Sequence, residues 1–201
     1  MNHEDQSDQD CVRRVQAGET DAFEALIRRH EKRVFNLLYR WLGNYDDAAE
    51  AAQEVFLSAY RSIGKFRGDA GFSTWLYRIA INHAKDRRKS LNISRQRHVP
   101  LEVAGPDGDG GPVTKLPHPG PDPAQNAEQR EIQERVQHAL NRLDPEDSLL
   151  ILLRDLQDSS YEEIVQVLDI PLGTVKSRLH RARQALKTIL APYFHPTKVQ
   201  K

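Results

Sequence analysis

Residues 159–179 read SSYEEIVQVLDIPLGTVKSRL, and this stretch predicts two short helices around a tight turn. Ser160 and Glu163 stand three apart, the spacing at which a serine and a glutamate cap each other's backbone at a helix start. Tyr161, Ile164, Val165 and Leu168 then recur at spacings of three and four, which makes one apolar stripe. Asp169-Ile170-Pro171 interrupts the pattern: proline cannot continue the first helix, but it suits the first position of the next. At ~100° per residue, Val175, Leu179, Ala182 and Leu186 of the second helix share an inner face. This is the grammar of a helix-turn-helix.

The outer face of that second helix offers Ser177, His180, Arg181 and Gln184, flanked by Lys176, Arg183 and Lys187. From Ile170 to Lys201 there is no aspartate or glutamate. A merely solvated face usually mixes charges of both signs, and this one does not. The pattern suits a helix laid in the major groove, where polar side chains reach base edges and basic ones hold phosphates. The candidate duplex contacts are Lys176, Ser177, Arg178, His180, Arg181, Arg183 and Gln184.

Working outward, the composition changes sharply between His98 and Ala127. Seven of the eleven prolines and five of the eleven glycines of the 201-residue chain lie there, which predicts an extended linker. The organisation expected is all-α: two small helical domains, 1–98 and 128–201, joined by a flexible linker over 99–127. In the first domain, Phe23, Leu26, Ile27, Val34, Leu38 and Trp41 mark a long helix, with Asp21 and Glu24 as a capping-box-like start and Gly43-Asn44 as its stop. A second helix is expected over about 46–63 with Ala48, Ala52, Val55, Phe56, Ala59 and Ile63 inward. A third is expected over about 73–89. In the second domain, a helix passes through Ile132, Val136 and Leu140, and Asp144-Pro145 opens another. No β alternation of useful length appears.

The formal net charge is +0, so totals alone suggest no nucleic acid; the arrangement does. Between Leu76 and Arg97, seven basic residues face one acid, Asp86, and Phe66, Phe72, Trp75 and Tyr77 lie just before or at the start. Basic charge beside aromatic rings suits single-stranded or melted DNA, whose unstacked bases need π surfaces. Candidate contacts are Lys65, Phe66, Phe72, Arg78, Asn82 and Lys85, while Trp75 sits at core spacing from Leu76 and Ile79. On the second helix, Asp46, Glu50, Gln53, Glu54 and Leu57 stand opposite the buried stripe. A leucine among carboxylates is either an incidental exposed residue or the anchor of a protein-binding patch with a charged rim.

These constellations, in this order, resemble the extracytoplasmic-function class of bacterial RNA polymerase sigma factors. The resemblance rests on Phe23-Glu24-Ala25-Leu26, on Asp47-Ala48-Ala49-Glu50 with Gln53-Glu54-Val55-Phe56, on Phe72 to Ala80 (FSTWLYRIA) and on Gly173-Thr174-Val175-Lys176-Ser177-Arg178. It implies that Asp46 to Leu57 grips the clamp helices of the largest subunit of core RNA polymerase. The Lys65–Phe72 loop and the helix bearing Asn82 would melt and read the −10 element of promoter DNA, and the helix after Pro171 would read the −35 element as duplex. It also implies control by an anti-sigma factor in a stress or envelope response.

An ordinary helix-turn-helix regulator is the alternative, but it predicts a ligand-binding or receiver domain in front, and the first ninety or so residues lack the strand–helix alternation of a receiver. An enzyme is not expected, for there is no His-Glu-x-x-His, glycine-rich phosphate loop or nucleophile elbow. His30 and His83 lie on apolar helical faces, the usual place of a packed histidine. No catalytic residue, metal, cofactor or small-molecule substrate is expected. With one cysteine, Cys11, and an acidic, polar N-terminus, the expected compartment is the cytoplasm.

Overall fold

In a computed structural model, residues 3–97 and 123–194 are described, with side chains for 7–90 and 131–193. Most of the linker expected over 99–127 lies outside the described residues. Its end comes sooner than expected, because a helix begins at Pro123, whose fixed φ and missing N–H suit a first helical turn. Among the described residues every regular element is helical.

The first lobe holds α1 (His3–Gln16), α2 (Ala22–Leu42), α3 (Tyr45–Ser62) and α4 (Phe72–Arg97). A 3₁₀ turn over Ile63–Lys65 follows α3. Most of the stripe read from sequence is buried: Leu26, Val34 and Leu38 are at most 1% exposed and Leu37 joins them, while Ile27 is only half-buried at its margin. Gly43 ends α2 at φ +78°, a left-handed conformation that costs glycine nothing, and its N–H donates to the Tyr39 carbonyl. Asn44 then caps α3 by accepting from the Asp47 N–H at 3.0 Å. The start of α2 differs from expectation. Asp21 is itself helical and makes no side-chain cap; carbonyls of Glu19, Thr20 and Asp21 satisfy the first N–H groups, and Glu24 pairs with Arg28 instead.

Helix α1 was not legible as an element, yet Asp8, Cys11, Val12 and Val15 stand at spacings of three and four and all are buried. Asp8 accepts from Arg29 at 3.0 Å and lies 2.7 Å from His30 Nε2, so a buried ionic cluster ties α1 to α2.

The second lobe holds α5 (Pro123–Asn141), α6 (Pro145–Ile151), a π-helical turn (Leu152–Leu156), α7 (Tyr161–Leu168) and α8 (Leu172–Phe194). Asp144 caps α6 with Pro145 in its first turn, and the Ser160–Glu163 capping box forms in both directions. Asp169 turns the chain at φ +55°.

The lobes pack on each other, with α7 lying on α4. Trp41 Nε1 donates to the Pro145 carbonyl at 3.1 Å, and the Tyr77 hydroxyl donates to Gln157 at 2.8 Å. Gln157 and Gln137 donate in turn to the carbonyls of Arg33 and Arg40.

Burial would raise the Asp8 carboxyl, but the hydrogen bonds and charges of His30 and Arg29 outweigh it and hold the group below its ordinary 3.8. A depressed folded value adds stability above pH ~4 that disappears as pH falls through it. Asp8→Asn, which removes that charge, should therefore destabilise the fold near neutrality. Denaturant titrations of both proteins should show that gap closing between pH 5 and the acid limit.

Candidate nucleic-acid and polymerase interface

Helix α8 is seated by Val175, Leu179 and Ala182, none more than 1% exposed. That fixes which side chains point outward. Lys176, Ser177, His180, Arg181, Arg183 and Gln184 are exposed, as the spacing requires. Ser177 donates to the Thr174 carbonyl, and the Lys176 ammonium lies 6.0 Å from the centre of the Tyr161 ring. Arg183 pairs with Asp155 of the π turn. Arg178 differs from the rest of the set: it is half-buried and turned into the carboxylates of Asp144, Glu146 and Asp147.

On α4, Arg78, Asn82 and Lys85 are exposed on one face, with Leu76, Ala80 and Ala84 buried on the other. The loop before α4 brings up Lys65, exposed, and Phe66, half-buried. Phe72 corrects the sequence reading. It is 1% exposed, enclosed by His30, Phe66 and Trp75 with ring centres 5.3–6.0 Å away, so it has no face to offer a base. As the first residue of α4 it plugs the core under the loop. Phe66 and Trp75, 5.1 Å apart, form the accessible aromatic surface. With Lys65, Arg67 and Arg78 they line a cleft of about 480 Å³, whose far wall is Val165, Gln166 and Asp169 of the second lobe.

The face of α3 divides. Gln53 and Leu57 line an open groove of about 1370 Å³ between α2 and α3, with Phe23, Ile27, Phe35 and Tyr45 as part of its wall. Leu57 is 54% exposed. Glu50 and Glu54 lean the other way, toward α4: Arg87 clasps Glu50 at 2.6 Å and Asp47 at 2.7 Å, and His83 lies 3.5 Å from Glu54 and 2.8 Å from Ser58. The hydrogen bonds that Arg87 donates to Glu50 and Asp47 keep its guanidinium even more firmly protonated than usual. Asp46 is exposed at the start of the helix. Sequence reasoning missed Phe35 and Tyr45, which lie off the buried stripe; their signal was aromatic residues at positions the core does not use.

Residues 26–92 match the family description "Sigma-70 region 2" and residues 133–186 match "Sigma-70, region 4", one in each lobe. The RNA polymerase sigma-H factor of Pseudomonas aeruginosa is 35% identical over 188 residues, covering 93% of this chain and 95% of the relative. The ECF RNA polymerase sigma-E factor of Escherichia coli K12 is 37% identical over 191 residues, covering 92% and 95%. The chain belongs to the extracytoplasmic-function sigma factors of the sigma-70 family.

Two solved structures share the fold of this sigma factor. CnrH, in complex with the cytosolic domain of CnrY, superposes with a TM-score of 0.68 at 22% identity, covering 92% of this chain and 97% of CnrH. The sigma factor RpoE of Bartonella quintana, in complex with the anti-sigma factor NepR, gives 0.65 at 20%, covering 84% and 96%. A sigma factor is a non-enzymatic initiation subunit that directs polymerase to promoters. Family membership sets aside the free-standing helix-turn-helix regulator. No described helix is long and apolar enough to cross a membrane.

The two phenylalanines at the loop should part company on truncation. Phe72→Ala should destabilise the fold by about 3–5 kcal/mol, the cost of emptying a closed aromatic site. Phe66→Ala should cost much less stability but weaken binding of the reconstituted holoenzyme to a single-stranded −10 oligonucleotide by about 1–3 kcal/mol. Thermal melts paired with oligonucleotide titrations read both.

Proposed function

We propose that the sigma factor divides promoter recognition between its lobes and takes its hold on polymerase through the α2–α3 groove. The observation that carries this reading is the separation of three surfaces of different chemistry. One is an apolar groove centred on Leu57, the second a basic and aromatic loop with α4, and the third a basic helix face free of acids.

In the first surface, Leu57 and Gln53 take up the clamp helices of the largest polymerase subunit and Asp46 adds exposed charge at the start of α3, while Glu50 and Glu54, held by Arg87 and His83, flank the groove on the α4 side. In the second, Lys65, Phe66, Arg78, Asn82 and Lys85 hold the melted −10 strand, with stacking on the ring and phosphates on the cations. In the third, Lys176, Ser177, His180, Arg181 and Gln184 face base edges of the −35 duplex and Arg183 a phosphate. The first lobe is taken to end at about residue 98 and the second to begin at Pro123, where α5 starts. The work is done in the cytoplasm, where polymerase and chromosome meet. An anti-sigma factor, the kind of partner seen on the Bartonella quintana relative, is the expected inhibitor, and an apolar groove of this size suits it as well as it suits polymerase.

Adding the protein to core polymerase and mapping which genomic promoters fire tests the whole reading. Failure to bind core, or tight sequence-specific duplex binding by the free chain at physiological salt, would count against it. Leu57→Ser tests the groove. Stability should stay within about 0.5 kcal/mol, as surface changes do, while affinity for core should fall by about 2 kcal/mol, as for an interface anchor. Normal core binding by that variant would remove Leu57 from the interface. Asn82→Ala tests the melting surface. It should leave core binding intact and shrink the permanganate-reactive bubble on a cognate promoter.

A further inference from the structure

Helical spacing puts Arg178 among the candidate DNA contacts, yet its side chain turns back into its own lobe. The side chain as a whole is only 21% exposed. Its Nε donates to Asp147 Oδ1 at 2.8 Å and Nη1 donates to Glu146 Oε2 at 2.5 Å. Nη2 lies 2.8 Å from the same Asp147 oxygen and 3.4 Å from Asp144 Oδ1. Asp147 is as sheltered as Arg178, while Asp144 and Glu146 remain open to solvent.

One cation among three carboxylates leaves a local charge of −2, which repels a phosphate rather than attracting one. Turning Arg178 out to DNA would also strand Asp147 half-buried without its partner. The apolar seat under α8 is made of Val175, Leu179 and Ala182, with Leu186 and Ile189 packed half-buried further along, and it fixes which face of the helix is inward. A guanidinium fork has fixed geometry, and here it engages the first turn of α6 in at least two directions.

We propose that Arg178 is a positioning residue for promoter recognition: its clasp on Asp147, Glu146 and Asp144 sets the rotation of α8 on α6, and so aims Lys176, His180, Arg181 and Gln184 at the groove. This rests on the reading of α8 as the −35 helix. It reassigns Arg178 from contacting DNA to directing its neighbours. The two roles predict opposite signs for one mild change. If Arg178 reached a phosphate or base, removing the competing carboxylate in Asp147→Asn would free it and tighten binding. If Arg178 positions α8, the same change loosens the clasp and weakens binding.

The test uses holoenzyme reconstituted with the full chain and a duplex that carries the −35 element but stops short of the −10 element. Anisotropy titrations are run over a range of salt, well below the melting temperature of each variant. Asp147→Asn keeps the pairs to Glu146 and Asp144, so it remains informative should Arg178→Gln fold poorly. Both variants should weaken binding at least about fivefold, the low end of one lost base contact. The double variant should be no worse than the weaker single. Neither should change the slope of log affinity against log salt, whereas Arg183→Gln should lower it by about 0.9, one phosphate's worth. Tighter binding by Asp147→Asn, or a slope lowered by Arg178→Gln, would overturn the positioning role and leave α8 as the reader. Unchanged binding in both Lys176→Gln and Arg181→Gln would instead remove α8 as the reader, and the positioning role with it.

Discussion

Leu26, Val34, Leu37 and Leu38 of α2 are withdrawn from water on all sides, and the rest of the molecule is arranged by what closes over them. Helices α1, α3 and α4 pack against α2 within the first lobe, and α5, α6 and the π turn reach it from the second. Burying such side chains is worth roughly 1.5–3 kcal/mol each, far more than any single surface ion pair in this protein. With one face of α2 committed inward, Phe23, Ile27 and Phe35 at its margin are left to wall the groove shared with α3. That groove is therefore what remains at the edge of the core. On its other side, α3 meets α4 through the Arg87 and His83 pairs, so the groove and the basic face of α4 share one scaffold.

Elements announced by periodicity and by capping were legible in the sequence. The stripe of α2, the Asp144-Pro145 start, the Ser160–Glu163 box and the inner face of α8 all follow from spacing, because spacing alone decides which side of a helix is buried. Helix α1 was obscured because only Asp8, Cys11, Val12 and Val15 face inward, and a buried aspartate reads as surface until its partners Arg29 and His30 are in place. The same blindness applies to Arg178. A basic residue on a basic helix looks like its neighbours, and only the fold brings Asp144, Glu146 and Asp147, more than thirty residues away, beneath it. Phe72 was misread for the converse reason. An aromatic near a loop could stack on a base or plug a core, and nothing local separates the two. The lobe contacts made by Trp41 and Tyr77 also lie beyond sequence, since each residue sits at ordinary core spacing for its own helix.

Net neutrality conceals a strong segregation of charge. The acids of the second lobe cluster before α8, where they hold Arg178 and Arg183, and α8 itself carries none. This gives a cationic face without a cationic protein. Non-specific attraction to DNA grows with total positive charge, while local potential at the groove depends on the side chains that reach it. A balanced total with one cationic face favours contact by that face over contact by any other.

The contacts that join the lobes have a different character. Indole to carbonyl at Trp41, hydroxyl to amide at Tyr77, and amide to carbonyl at Gln157 and Gln137 are made by uncharged donors, and charged groups enter at the longer bonds from Arg40 to the Gln133 carbonyl and from Thr74 to Glu163. Counter-ions hardly disturb the uncharged bonds, whereas they compete directly with cations for phosphates. Added salt thus acts mainly on one pan of the scale: it loosens a grip on phosphates more than it loosens the uncharged bonds between the lobes. Raised ionic strength would accordingly favour the free chain over the DNA-bound one, with no change in any residue.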